Sequence, residues 1–532
     1  MASTSRNSVN GWTVILATVL FWGMFSWIVF LISDYRKRTK NPSLVASILL
    51  FGHLWLAGLF LATAKIAENH DDPSLVWFCF QCVFRYYKTL ILTYFNLRYK
   101  PSVAPANFAL SPADVTVIVP TVGADGNATF QEMVSSILWN KPKHLIFSTV
   151  TEDAKKSVDA ILPGIKAELE RGTSSYQSQR SLPKLTISTD ISVVSAHVAS
   201  KREQFIRGVN QVDTSIIASA DDTVLWHPNF LSGALPAFAD SQVSLVGTRK
   251  WVKRLPCAPS DPSLPWYTNA WNDYCFRFWN LIGAMYLIRH NFEACGSNTA
   301  DGGIFAVSGR TLFVRSEVVQ EKAFQDNFLN EIIFPWLPGG GIGPINADDD
   351  NFLTRWVYKK NKKVKFQASE GATITTVIGK DGGGRFMNQC LRWSRTTMRQ
   401  NPQVLFIDRT AWWMHPITVW TTYFPWLYNA ALVWDPLMVS TMYFTKYYQA
   451  SEHRFALMAG LVGFIWATKL IKSAPWFWKH PQDFFLFVFP IPVWALFVYG
   501  HSILKIHTAF TFWDLAWTGR KLPTNTDAKK EE

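Results

Sequence analysis

Val115-Thr116-Val117-Ile118-Val119-Pro120, continuing into Thr121-Val122-Gly123, is the stretch from which the fold of this chain is read. An unbroken run of β-branched residues is the mark of a strand buried on both faces, as in a parallel sheet. A polar, glycine-containing loop follows, then a helical pattern at Phe130–Trp139. A second strand, His144–Val150, leads into a helix from Thr151 to Arg171, and strand candidates recur at 185–189, 215–220 and 243–248, with a helix at 200–212. Strands alternating with helices predict an α/β, doubly wound, mostly parallel sheet. Ligands of such sheets bind at the carboxyl ends of the strands. That rule puts Pro120–Gly126, Thr151–Asp153 and Asp221–Thr223 on one rim.

Outward from this domain the composition changes. Apolar residues crowd 12–97 and 411–517, whereas about 110–400 is an ordinary globular mixture. Trp12–Ser33 and Ser43–Ala64 carry no charge and are each long enough to cross a hydrocarbon core of roughly 30 Å. Leu75–Leu97 is apolar and aromatic but holds Arg85 and Lys88 at its centre, which lipid penalises, so an interfacial helix is expected there, with a third span as the other option. Arg36, Lys37, Arg38 and Lys40 follow the first span and favour a cytosolic loop. Ala411–Thr445 and Phe455–Thr468 are further apolar segments, and Phe484–Leu504 is broken by Pro490 and Pro492.

The net charge of +13 comes without a basic aromatic nucleic-acid module. It suits a juxtamembrane surface facing anionic lipid, and it attracts anionic small molecules. The six cysteines are scattered, and Cys79/Cys82 lack the second pair that a zinc site needs, so buried thiols are expected.

Three constellations carry chemistry. Asp221-Asp222 ends a buried strand, where carboxylates bind Mg²⁺ or Mn²⁺; an acidic turn is the plainer alternative. Asp348-Asp349-Asp350 precedes a helical stretch and either caps it or supplies a general base. In Gln389-Cys390-Leu391-Arg392-Trp393, Arg392 suits bidentate binding of a diphosphate, and Trp393 offers a flat face for a sugar ring. Arg395 and Arg399, reached from Arg392 in successive steps of three and four residues, are expected to meet lipid headgroups.

Gln389–Trp393 resembles the QxxRW signature of processive family-2 membrane glycosyltransferases. The order of Val117–Gly123, the strand-end acids, Ser308-Gly309-Arg310-Thr311 and Asp348–Trp356 resembles that superfamily too, over roughly residues 110–520. Within it the chain looks most like hyaluronan-synthase-like and fungal capsule-polysaccharide-synthase-like enzymes. The resemblance implies a cytosolic GT-A-type domain embedded between N- and C-terminal transmembrane helices, in a multi-pass protein of the plasma membrane. It implies inverting transfer from a UDP-sugar to a growing polysaccharide. Asp350 would be the base with Asp349 beside it, and Asp222, with Asp221, would hold Mn²⁺ or Mg²⁺; the first acid of the family's metal motif falls on Ala220, a departure. Lys201, Arg202, Arg392 and Gln389 would bind the diphosphate, and Glu152 or Asp153 the uracil. Trp393, Ser308, Gly309 and Arg310 would line the acceptor site. Trp517-Thr518-Gly519-Arg520 resembles a gating segment closing over the nucleotide, although a Trp and Arg pair also marks membrane interfaces.

The domain boundaries that follow are a membrane region at 1–74, an interfacial helix or span plus linker at 75–109, the transferase domain at 110–401, a C-terminal membrane region at 402–510 and a gating segment with polar tail at 511–532. A non-processive, ceramide-type lipid glycosyltransferase shares the acids and QxxRW. A non-catalytic transporter or scaffold is a third reading, favoured only by Ala220.

Overall fold

The computed structural model describes residues 72–258, 260–379, 382–488 and 493–515. The expected spans at 12–33 and 43–64, and Trp517 and Arg520, lie outside the described residues.

Strands β1 (Val115–Thr121), β2 (His144–Thr149), β3 (Asp190–Ser195) and β4 (Ile216–Ala220) run parallel in the order β3-β2-β1-β4. Val115, Val117 and Val119 of β1 enter one hydrophobic core, and Ile118 enters a second on the opposite face. The unbroken apolar run is thereby explained: β1 has no solvent face. Beyond β4 the chain adds β5 (Val224–Trp226), β6 (Val243–Val252), β7 (Thr311–Arg315), β8 (Lys363–Gln367) and β9 (Thr373–Thr376). β7 is antiparallel to both β4 and β6, β6 is parallel to β8 and β9, and β5 is antiparallel to β9.

The sheet is therefore mixed: five of its eight strand pairings are parallel, as the alternation predicts, and the departure is β7 and the β5–β9 pair, which run antiparallel. The reversal matters for function. Thr311 at the start of β7 pairs with Ala220 at the end of β4. An antiparallel strand begins where its neighbours end, so Ser308-Gly309-Arg310 arrives on the same rim as Asp221-Asp222.

A second correction concerns 185–189, which is not a strand. β3 starts at Asp190, opposite His144, the first residue of β2. Residues before it would have to pair with the Lys141-Pro142-Lys143 turn. Pro142 offers no N–H, and its carbonyl is taken by the Thr189 hydroxyl instead.

The helices that frame the sheet are α1 (Pro73–Arg98), α2 (Phe130–Trp139), α3 (Glu152–Arg171), α4 (Lys201–Val209), α5 (Trp266–Asp301), α6 (Asp349–Lys359) and α7 (Gly382–Pro402). The C-terminal part adds α8 (Ala431–Tyr443), α9 (Arg454–Leu470) and α10 (Val493–Ala509). Among the described residues two helical stretches are long and apolar enough to cross a membrane, Pro73–Arg98 and Arg454–Lys479. They do not support the multi-pass plasma-membrane arrangement expected from sequence. The apolar 411–445 segment is divided instead into a short helix at Thr410–Met414, a helix over 416–428 that opens at Pro416 and turns π-helical at Val419–Tyr423 ahead of Pro425, and α8. Arg85 on α1 meets Asp435 of α8 at 3.2 Å, and Lys469 of α9 meets the same carboxylate at 2.5 Å. One carboxylate thus answers two cations that are each costly in an apolar bundle, with a net positive charge left on the trio.

Candidate active site

The carboxyl ends of β1 and β4, the first turns of α4 and α6, the Ser308–Arg310 turn and one face of α7 enclose a cavity of about 550 Å³. Ser200 caps α4, its hydroxyl accepting from Glu203 N–H at 3.4 Å, so Lys201 opens the helix and points into this space. Lys201 Nζ donates to Asp221 Oδ1 at 3.0 Å and to the Gly309 carbonyl at 3.2 Å, and stands 3.1 Å from Asp349 Oδ2. Gly309 N–H donates to Asp350 Oδ2 at 3.0 Å, and Asp350 Oδ1 accepts from the backbone and side-chain amides of Asn351 at 2.9 and 3.1 Å. A Cβ at position 309 would come into van der Waals contact, at 3.4 Å, with both Asp350 Oδ2 and Lys201 Nζ. Residues more than 100 positions apart are held in one chain of charge.

Electrostatics separate the two neighbouring acids. Burial first, and the charge of Asp349 second, push the Asp350 carboxyl up to about 6. Burial works to raise Asp349 as well, but Lys201 overrides it and holds that carboxyl below the usual carboxylate range. Lys201 is itself raised: burial opposes its charge, and Asp221 and Asp349 more than offset the loss. Two adjacent carboxylates pushed apart in this way divide into an ion-paired anion and a proton acceptor.

Asp348 has a different task from either alternative considered above. It sits at the start of α6 with φ 60°, and its side chain makes no cap hydrogen bond. Its buried carboxylate turns toward α7, accepting from Thr396 Oγ1 at 2.5 Å and meeting Arg399 Nη2 at 3.0 Å. Arg399 also donates to the Phe512 and Asp514 carbonyls, and Arg395 meets the Asp514 carboxylate at 2.6 Å. Arg395 and Arg399 are thus buried fasteners between α6, α7 and the 512–514 segment, not contacts for lipid headgroups. Their apparent surface spacing was misleading because α7 is covered on that side.

Arg202 also departs from expectation. Lys201 lines the cavity, whereas Arg202, about 100° further round α4, turns away from it. Arg202 is buried, donating to the Ala347 and Phe328 carbonyls at 2.7 and 2.6 Å and pairing with Glu331 at 2.7 Å. It supports the backbone before Asp348 and lies outside the lining of the cavity where a diphosphate was expected to meet it. Glu152 and Asp153 occupy the first turn of α3 at the end of β2, outside the cavity wall; Asp153 pairs with Lys156 at 3.2 Å.

Asp222 lies on the cavity and accepts from Thr121 Oγ1 at 2.7 Å, while its carbonyl accepts from Asn127 Nδ2 at 2.8 Å. Ala220 is fully buried in the core. Gln389, Arg392 and Trp393 reach the cavity from α7, as do Ser308, Gly309 and Arg310 from their turn. One face of Trp393 is stacked on Tyr286 of α5 at 5.3 Å, and the Arg310 guanidinium lies 5.8 Å from its ring centroid.

Sequence reasoning missed a wall formed by Lys250 of β6 and Tyr286, Arg289, His290 and Glu293 of α5. A signal did exist for the lysine. Val246, Thr248, Lys250 and Val252 alternate along β6 and all are buried, so the period of two had placed Lys250 on an inward face.

A family profile described as "Glycosyltransferase like family 2" matches residues 112–396, more than half of the chain. A type 2 glycosyltransferase from Zymoseptoria tritici is 30% identical over 444 residues, covering 82% of each chain. An NDP-glycosyltransferase, ltbB, from Aspergillus luteorubrus is 29% identical over 336 residues, covering 62% of this chain and 71% of that one. Among solved structures, the mannosyltransferase PcManGT from Pyrobaculum calidifontis, in complex with GDP-Man and Mn²⁺, aligns with a TM-score of 0.44 at 13% identity, covering 81% of this chain and 97% of that one. With a GT-A-like fold, a mixed sheet and strand-end acids already in place, a match of this extent settles the class: the chain belongs to glycosyltransferase family 2.

Proposed function

We propose that the protein is an inverting glycosyltransferase that moves a sugar from a UDP-sugar to the hydroxyl of a growing polysaccharide at a membrane. The observation that carries the chemistry is Asp350, raised to about 6 beside an ion-paired Asp349, in one cavity with Arg392 and Trp393. A general base works best when its pKa lies near the working pH. In the step itself the acceptor oxygen forms a bond to C1 of the donor sugar as the C1–oxygen bond to the diphosphate breaks. The acceptor's proton passes to Asp350, and the leaving group departs as UDP, carrying the bond's electron pair on its β-phosphate oxygen. Arg392 meets that departing charge with a planar fork of donors. Lys201 keeps Asp221 and Asp349 from repelling it. No covalent intermediate is required, so positioning and fixed charge supply most of the acceleration.

Among the described residues no group of three or more His, Cys, Asp or Glu side chains forms a metal cage. Asp222 and Asp221 on the cavity wall fit an ion shared with the diphosphate, since Mg²⁺ and similar cations use one or two carboxylates plus phosphate oxygens. Bound there, Mn²⁺ or Mg²⁺ would offset the charge of the leaving diphosphate. The apolar helices Pro73–Arg98 and Arg454–Lys479 support attachment to a bilayer. The tiling into a transferase domain at 110–401 flanked by membrane regions is part of the same reading, with Glu152, Asp153, Trp517 and Arg520 kept as donor-side contacts to be tested by substitution.

The test is UDP release by the purified full chain against a panel of nucleotide sugars with Mn²⁺ or Mg²⁺, with the product sized in parallel. Sugar-dependent UDP release with a high-mass product is expected. A single sugar added to a lipid would replace the polysaccharide with the lipid-transferase reading, and no UDP release from any donor would remove the reading altogether.

A further inference from the structure

Trp393 can serve as a platform only while its indole keeps one plane, and its own bonding does not fix that plane. Its carbonyl accepts from Thr397 Oγ1 at 2.8 Å, but among the described residues the indole N–H makes no hydrogen bond. The torsion that turns an indole about its stem is broad, so neighbours must set the angle. Among the described aromatic rings the one in contact with Trp393 is Tyr286 of α5, 5.3 Å away and inclined by 23°. Tyr286 also lines the cavity, yet the transfer step gives it no task.

The tyrosine is itself clamped. Phe386 of α7 meets its ring edge-on at 6.1 Å, His501 of α10 lies 5.6 Å away, and the Arg289 guanidinium stands 4.7 Å from its centroid. The helices that carry Tyr286 and Trp393 are docked closely along the same line. A Cβ on Gly383, at the start of α7, would stand 2.4 Å from the Trp279 ring of α5, and one on Gly283 would stand 2.4 Å from Ile378 Cγ2, just ahead of α7. Side chains larger than glycine would push α5 and α7 apart. From the other side Thr508 of α10 shares a hydrogen bond of 2.8 Å with Ser394, the residue after Trp393. A ring held this firmly is a stiff backing for the indole in front of it.

We propose that Tyr286 is a positioning residue for the acceptor: its ring backs Trp393 and holds the indole in the plane on which the acceptor's terminal sugar rests. This role rests on the transferase reading above and adds to it the residue that sets the platform. A pyranose meets an aromatic face through a row of C–H groups, so a tilted indole loses that contact. The donor side, with Lys201, Asp221 and Arg392, does not depend on the tilt. The flat ring of Tyr286 makes the contact, and its hydroxyl is not needed for it.

The experiment uses the full-length enzyme, the UDP-sugar it accepts, and cellotetraose, chitotetraose, mannotetraose and a glucuronate-terminated tetrasaccharide as acceptors. For the tetrasaccharide that is extended, Tyr286→Leu should raise the acceptor KM roughly threefold to tenfold, the scale of one aromatic pair. The KM of the UDP-sugar and its hydrolysis by water should stay as in the wild type. Tyr286→Phe, which keeps the ring, should keep the wild-type KM. In a Trp393→Ala background Tyr286→Leu should add nothing further, because a residue that acts through another has no effect once the other is gone. Additive losses in the double variant overturn the proposal, as does a Tyr286→Phe as impaired as Tyr286→Leu, or a change in the KM of the UDP-sugar. Thermal unfolding is followed in each variant. Should Tyr286→Leu fail to fold, Tyr286→Met, which fills the space with a flexible chain, carries the same comparison, and failure of both makes the tyrosine a residue of the fold and ends the proposal. Extension of none of the tetrasaccharides, with UDP-sugar hydrolysis intact, strikes the polysaccharide reading itself and the platform with it.

Discussion

The two sides of the cavity are built differently. On the strand-end rim nearly every charge is answered: Lys201 by Asp221 and Asp349, Asp350 by Gly309 N–H, Asp222 by Thr121. On the β6–α5 wall, among the described residues, Lys250 Nζ has one hydrogen-bond partner, His290 Nδ1, and Arg289 Nε has none, although Glu293 and Tyr286 answer the arginine's charge. A satisfied network fixes geometry before substrate arrives, and preorganisation of that kind is what a reacting centre needs. A wall with open donors instead gains most when a ligand arrives, which is the property of a recognition site. The contrast makes the rim responsible for turnover and the wall for selection, and the following experiments are placed to break that division.

The largest effect should come from Asp350→Asn. The amide preserves shape but takes no proton, so turnover should fall by about 10²–10⁴-fold while UDP binding, measured by calorimetry, stays within a few-fold. Retained turnover would shift the base to Asp349 and dissolve the distinction drawn between the two acids.

Next is Asp348→Asn, which acts on the fastening of the rim and not on its chemistry. The Asp348–Arg399 pair is shielded almost completely, with side chains 0% and 1% exposed. Removing one partner of a buried pair costs about 3–5 kcal/mol, because Arg399 is left with uncompensated charge. Thermal unfolding should show a large drop, and an unchanged midpoint would mean that α6 and α7 are held together by something else.

The rim was legible in the sequence because its parts are local. A β-branched run followed by a glycine loop, acids directly after β4, and Gln389–Trp393 each announce themselves within ten residues. What was not legible depends on direction. Whether Lys201 or Arg202 enters the cavity is decided by a rotation of one residue about α4, and whether Arg399 faces lipid or Asp348 is decided by what covers α7. The position of Ser308–Arg310 on the rim required β7 to run antiparallel, which no period within Thr311–Arg315 reveals. The wall joins Lys250 to residues some 40 positions later on α5, a helix that the strand-and-helix alternation did not anticipate.

A smaller effect is expected from Trp393→Ala, which removes a platform shared by the two sides. Hydrolysis of UDP-sugar by water needs the donor half alone, so it should fall less than polymer formation does. We expect polymer mass to drop roughly tenfold, in line with loss of one buried aromatic contact, with UDP release assayed in the same preparation. Equal losses in both would place Trp393 with the donor, and the tryptophan would then belong to the rim.

The finest test is a pH profile of transfer in the wild type and in Asp349→Asn. Asp350 must be deprotonated to act as a base, and its carboxyl is raised to about 6. Turnover should therefore be full well above pH 6 and be lost as pH falls through that value. Burial of Asp350 is unchanged by the substitution, so its carboxyl should remain above the ordinary carboxylate range. The like charge of Asp349, the second cause of the shift, disappears. Lys201 also loses one of its two carboxylate partners, which leaves more of its positive field for Asp350 and pulls the value in the same direction. The acid limb of Asp349→Asn should thus move to lower pH, by an amount on the order of one unit for a close like-charge neighbour. Because the two carboxyls interact, the wild-type limb belongs to the pair and is compared as a whole curve. A limb that stays in place would mean that burial alone raises Asp350, and a limb that moves upward would mean that Asp349 holds Lys201 where Asp350 depends on it. In that last case the satisfied network of the rim would be tuning the base through the lysine and not through repulsion between acids.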